Sequence, residues 1–332
     1  MKKYEFPAGI HFTKLVRTIL ISMRVAKKRS KIRLALDVIL YKRVLTFLSD
    51  TFSDVVYKYG TERDYKIGEA GDKIWTMWWQ GEDEAPPLIK RCIESMRKNA
   101  RGREVVVVDS RNVFDYIKLP RHILDKHEAG LITTTLLSDI VRVSLLAQYG
   151  GLWLDSTIFC AKEIPEDIWK MPLYTVKPRL YPNAPNIENT KIKPGKKNAY
   201  NTAPFIPFDS ETTLGVVSGH PLYSFTRDML IRYWEKYTTM VVYHLFACVL
   251  KLAYFTVDVV KQDVDAIPTN SDDFYKLAEL FVTKHRYDQK EIDAIISSDT
   301  VFYKLDRKEK YTEYNDMGEE TAYGRFVKGC LM

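Results

Sequence analysis

Asp139 and Arg142 lie three residues apart in SDIVRVSLLAQYGGLWLDSTIF, and Asp155 closes the apolar run Leu152, Trp153, Leu154. At that spacing an acid and a guanidinium share one face of a helix. A carboxylate carried to the tip of a buried strand, close to an aspartate and an arginine, suits a divalent cation together with a diphosphate. The metal neutralises phosphate oxygens, and the arginine adds a bidentate, charge-assisted contact. Each piece alone has a plainer reading, as a surface salt bridge or a turn aspartate. Their concurrence in one short stretch is the informative signal.

The elements around these residues are of the kind that position a site. Gly150 and Gly151 can adopt the left-handed conformation that ends a helix and turns the chain into a strand. Asp155 then emerges at the carboxyl end of that strand, where ligands bind in open α/β sheets. Upstream, KIWTMWW reads as a buried strand, and APPLIKRCIESMRKNA places apolar residues at 88, 89, 92, 93 and 96, a helix with proline near its start. EVVVVDS reads as a strand covered on both faces. Strand, helix, strand with short connections predicts an α/β core from about residue 72. Two short helices are expected over 112–130, a longer one over 133–149, and others over 220–238 and 240–262. The last contains VVYHLFACVLKLAYFTV, but His244 and Lys251 interrupt it, and no apolar run reaches the roughly 18 residues of a membrane span. Residues 178–207, rich in Pro and Asn, predict an irregular loop.

The motif SD-x-x-R, followed by L-x-x-YGG-x-W-x-D, resembles the sugar-nucleotide-binding signature of glycosyltransferase family 32 and its relatives, bacterial capsular polysaccharide synthesis proteins above all. KIWTMWWQGEDEAPPLIKRCIESMR, DAIPTNSDDFYKLAELF and DTVFYKLDRK are similar to the same group, so the resemblance spans roughly residues 72–305. It implies a GT-A fold, a Rossmann-like sheet flanked by helices that binds a nucleoside diphosphate sugar, with Mn2+ or Mg2+. It makes Asp139 a contact to the donor's ribose or sugar and Arg142 a contact to sugar or phosphate. Trp153 takes the aromatic position before the metal motif, and Asp155 the first position of Asp-x-Asp. Trp75, Trp78 and Gln80 border the nucleotide base, and Lys304 is a candidate for the diphosphate. The third motif position is Thr157, whose neutral hydroxyl is a poor ligand for a hard cation, so metal affinity without donor is expected to be low.

Other residues carry weaker signals. His244 reads as a core histidine, and the Trp78–Trp79 pair as core packing or a stacking surface for a base or sugar. The basic loop 191–197 lies where an acceptor or lipid phosphate would dock, and Asp209 and Glu211 are acids that would face an acceptor hydroxyl.

Charged residues at 28% and aromatics at 13% are a globular composition. The surplus of positive charge is local: residues 1–50 hold twelve Lys and Arg against three acids, and the remainder is slightly acidic. Nucleic acid is therefore not an expected partner. Residues 1–58 predict a basic amphipathic helical extension that either lies on an anionic membrane surface or packs on the body, a transferase domain over 72–332. Cys92, Cys160, Cys248 and Cys330 lack metal or redox spacing, and no cleavable signal peptide is visible. A cytoplasmic protein is expected, peripheral on the inner face of the cell membrane.

The reading that follows is a retaining glycosyltransferase that moves a hexose from a UDP-sugar to a saccharide or lipid-linked acceptor of surface polysaccharide. A non-catalytic scaffold on the same fold is the alternative favoured by the missing second aspartate. A haloacid-dehalogenase-like phosphatase would need an acid where Thr157 stands.

Overall fold

The computed structural model describes residues 5–23, 31–61, 65–177 and 215–331; the loop 191–197, Asp209 and Glu211 lie outside the described residues. Three helices open the chain, α1 (Ala8–Ser22), α2 (Lys31–Thr51) and α3 (Ser53–Thr61). Arg17 pairs with Asp37 at 2.5 Å, and Arg43 with Thr13 at 2.6 Å, so α1 and α2 run antiparallel. Val44, Phe47, Leu48, Val55 and Tyr59 of α2 and α3 belong to the same core as Trp75 and Trp153. By contrast, α1 buries only Ile10 and Thr13. Its outward face carries Phe12, Leu15 and Ile19, and Met23 follows just past its end, all at 44–64% exposure with no charged residue among them.

A five-stranded sheet organises the rest. β1 (Ile74–Met77), α4 (Pro87–Asn99) and β2 (Val105–Val108) come first, then α5 (Val113–Tyr116), α6 (Arg121–Glu128), α7 (Thr134–Tyr149) and β3 (Gly151–Trp153). β1 lies between β2 and β3 and is parallel to both, with Ile74 opposite Val105 and Leu152. Beyond the short β4 (Ile158–Cys160), the strands β5 (Leu173–Tyr174) and β6 (Gly215–Val216) complete the order β2-β1-β3-β6-β5, with β6 antiparallel to β3 and to β5. The sheet is therefore mixed, not uniformly parallel.

Alternation along the strands divides the core in two. Trp75, Met77, Val106, Val108 and Trp153 face the layer built by α2, α3, α7 and the helices α8 (Pro221–Lys236), α9 (Leu245–Thr256) and α10 (Asp258–Ala266). Ile74 and Leu152 face α4, whose buried Leu88, Ile89, Cys92, Ile93 and Met96 are the predicted stripe. On this second side stand α11 (Lys276–Thr283), α12 (Gln289–Ile296), β7 (Phe302–Lys304) and α13 (Ala322–Val327), and β7 pairs antiparallel with β4. The single helix expected over 240–262 is two, because Val257 adopts an extended backbone (φ −123°, ψ 106°) between α9 and α10. His244 precedes α9 rather than lying within it, and is half-buried. Among the described residues no helix is long and apolar enough to cross a membrane. The four cysteines are free, three buried and Cys330 exposed.

Candidate active site

The turn from α7 into β3 requires glycine twice. Gly150 has φ 65° and Gly151 φ 82°, both in the left-handed region. A Cβ on Gly150 would stand 2.5 Å from the Val216 carbonyl oxygen, and one on Gly151 2.3 Å from that of Lys73. The buried Trp75 indole donates to the Gly150 carbonyl at 3.0 Å, pinning this hinge to β1. With the hinge fixed, β3 delivers Asp155 just past its carboxyl end, beside Asp139 and Arg142 of α7.

Four charged groups meet there. Asp155 Oδ1 accepts from the Trp153 indole at 2.8 Å and lies 3.3 Å from Arg142 Nη2, which is also 3.2 Å from Asp139 Oδ1. The other carboxylate oxygen, Oδ2, pairs with the Lys304 ammonium. The register of β4 against β7, Ile158 opposite Lys304, brings that lysine across 149 positions of sequence. Arg142 is 6% exposed, and its guanidinium stands 5.4 Å from the Trp153 ring and 4.8 Å from that of Phe246. Burial would raise the Asp155 carboxyl, but the Lys304 and Arg142 charges, with the hydrogen bonds from Lys304 and Trp153, outweigh it and hold it well below the usual carboxylate range. Asp139 goes the other way: burial pushes it up to about 7, against Arg142 and with help from Asp155.

The structure thus joins Asp139, Arg142, Trp153, Asp155 and Lys304 of the predicted set. It places Trp78, half-buried, and Gln80, exposed, past the carboxyl end of β1 on the same sheet edge. Trp75 is not at that edge. The alternation of β1 turns it into the helical layer, with its ring 5.2 Å from Tyr116 and its N–H spent on the hinge. Two features escape sequence reading. Phe246 reaches Arg142 from α9, and no spacing rule links them. Asp109, at the end of β2, accepts from the backbone N–H of Arg111 at 2.8 Å and of Asn112 at 3.1 Å. The spelling VVVVD carries the same signal as GLWLD, an apolar strand ending in a carboxylate. Arg307 also extends the positive charge along this edge, 5.8 Å from the Trp78 ring.

The cation expected at Asp155 and Thr157 does not fit these residues as they stand. Both Asp155 oxygens are engaged by Lys304, Arg142 and Trp153, and Thr157 is 9% exposed. Among the described residues no three His, Cys, Asp or Glu side chains converge to hold a metal. A dication inserted here would also face two unit cations, at about 8 kcal/mol of repulsion each for 4 Å and an effective dielectric constant of 20.

A family model for capsular polysaccharide synthesis proteins matches residues 27–326. The chain belongs to that family. The match takes in α2 and α3 together with the sheet and all four charged groups of the site. The O-glycosyltransferase PaGT of Phomopsis amygdali is 29% identical over 114 residues, which cover 31% of this chain and 28% of that protein. The chain thus spans less than a third of that relative's length. The solved structure of the PaToxG glycosyltransferase is similar at 13% identity and a TM-score of 0.38, over 71% of this chain and 83% of its own. This capsular polysaccharide synthesis protein is therefore similar in part to proteins described as glycosyltransferases.

Proposed function

We propose that the protein is a glycosyltransferase of GT-A type. It transfers a hexose, with retention, from a nucleoside diphosphate sugar, a UDP-hexose in the first instance, to a saccharide or lipid-linked acceptor. The observation that carries this reading is the placement of Asp155 at the carboxyl end of β3, gripped by Arg142 from α7 and Lys304 from β7. A departing diphosphate concentrates negative charge, and stabilising it is the largest electrostatic demand of the reaction. Two cations on separate elements, held by one carboxylate, are prepositioned to meet that charge. A unit charge 4 Å from a phosphate oxygen is worth about 4 kcal/mol at an effective dielectric constant of 20.

In this account Arg142 contacts the phosphate or the sugar, and Asp139 accepts from a donor hydroxyl. Trp153 holds the carboxylate through its N–H. The acceptor hydroxyl attacks the anomeric carbon as the bond to the diphosphate breaks, and the leaving phosphate oxygen takes the acceptor's proton. Mn2+ or Mg2+ is the ion that the family's Asp-x-Asp pattern implies, and the binding experiments below include both.

The outward face of α1 supports a membrane role for the N-terminal helices. Its exposed apolar residues, in a segment with nine surplus positive charges over residues 1–50, fit an anionic lipid surface better than bulk water. Such a surface would keep the protein near a lipid-linked acceptor.

The test is turnover of UDP-sugars by the wild-type protein and by Asp155→Asn and Asp155→Ala. Loss of about 100-fold or more with folding retained is expected, in the range found when one transition-state contact is removed. Undiminished transfer in both variants would remove the assignment. Donor binding without hydrolysis or transfer would favour the scaffold reading, for which the fully paired state of Asp155 is the one structural argument.

A further inference from the structure

We infer that Lys304 takes the place of a metal ion in this site, so that the donor's diphosphate is held by Lys304 and Arg142 without a divalent cation. The inference rests on the transferase reading and adds the means by which its donor is bound.

The observations are geometric. The β4–β7 ladder fixes the backbone of Lys304 opposite Ile158, and its N–H donates to the Phe274 carbonyl at 2.7 Å. The next N–H, of Leu305, donates to the carbonyl of Thr157 at 2.9 Å. The chain position of Lys304 is therefore tied to the strand that follows Asp155. Its ammonium occupies Asp155 Oδ2, while Trp153 and Arg142 take Oδ1, so neither oxygen is left open to a cation. The neighbouring motif position, where a second carboxylate would complete a metal pair, is Thr157. A hard dication takes six or more oxygen ligands or keeps several waters, and one engaged carboxylate is a poor start.

A lysine supplies what is missing in another way. Its compact charge sits on a flexible four-carbon stem, and moving from a carboxylate to a phosphate oxygen needs only side-chain rotation. Arg142 differs: it is buried, and its guanidinium is shared between Asp139 and Asp155. The pairing thus joins one fixed fork with one mobile point charge. When Lys304 swings to the diphosphate, Asp155 keeps Arg142 and the Trp153 N–H, so its carboxylate is not stranded.

The experiment measures the melting-temperature shift and the dissociation constant for UDP and for UDP-sugars, in EDTA, in Mn2+ and in Mg2+. Lys304→Met and Lys304→Arg are compared with the wild-type protein. The expected result is wild-type binding in EDTA within about threefold of that in Mn2+. Lys304→Met should weaken binding in EDTA by about 10-fold or more, and Lys304→Arg should recover most of it, as for loss and replacement of one charge-assisted contact. Binding that appears only with Mn2+ or Mg2+ would overturn the inference and leave the transferase reading intact. Lack of binding by UDP and by every UDP-sugar in all three buffers would remove both the inference and the UDP-hexose reading it rests on. The wild-type comparison needs no substitution, so a misfolded variant does not blunt it.

Discussion

The Trp153 indole N–H donates to Asp155 Oδ1 at 2.8 Å, so the strand that delivers the carboxylate also orients it. Trp153→Phe keeps the ring in the core and removes only that donor. Turnover is expected to fall about 10-fold or more, the worth of one hydrogen bond to a charged group, with little change in melting temperature. An unchanged kcat would mean that the indole serves packing alone.

Arg142 binds two carboxylates from a nearly closed position. Arg142→Lys keeps the charge but not the fork, and it is not conservative at such a site. A loss of kcat of at least about 10-fold is expected. Wild-type kinetics in this variant would show that a point charge suffices.

Lys251 tests the energetics of the helical layer on α9. It is fully buried, with its ammonium 5.7 Å from the Tyr41 ring, and burial lowers it from 10.5 to about 7. Between those two values the unfolded chain holds a proton that the folded chain has lost. Stability therefore rises with pH across the window, and below about pH 7 the cost of the buried ammonium is constant. Lys251→Met is expected to raise the melting temperature at pH 7 by roughly 2–6 °C, with the gain shrinking towards pH 10. A variant less stable than wild type at pH 7 would mean that the charge is held by favourable contacts instead.

The exposed stripe on α1 makes a separate prediction. Leu15→Glu with Ile19→Glu alters two outward positions and leaves Ile10 and Thr13 buried. Flotation with vesicles containing anionic lipid should carry the wild-type protein and not the double variant, at equal melting temperature. High salt should weaken the wild-type association by screening its electrostatic part. Equal flotation of both proteins would remove α1 from the membrane account.

Much of this site is legible from local spacing. The glycine pair, the apolar run after it and the 88, 89, 92, 93, 96 stripe of α4 depend on neighbours in sequence, and the structure has each in place. What is not legible depends on distant pairing. The meeting of Lys304 and Asp155 is made by two strands of three residues each, too short to show a period. β5 and β6, at two residues each, hide the antiparallel half of the sheet in the same way. Trp75 shows the opposite hazard. It sits in a strand buried throughout, and only the position of the helical layer decides which way each residue turns. The break at Val257 is similarly silent, since the apolar pattern runs on through it.

The most direct test of the central claim is a crystal structure with UDP bound. The account predicts the diphosphate within hydrogen-bond reach of Arg142 and Lys304, beside Asp155 at the carboxyl end of β3. A nucleotide ordered elsewhere on the protein, with the Lys304–Asp155 pair still closed, would contradict it.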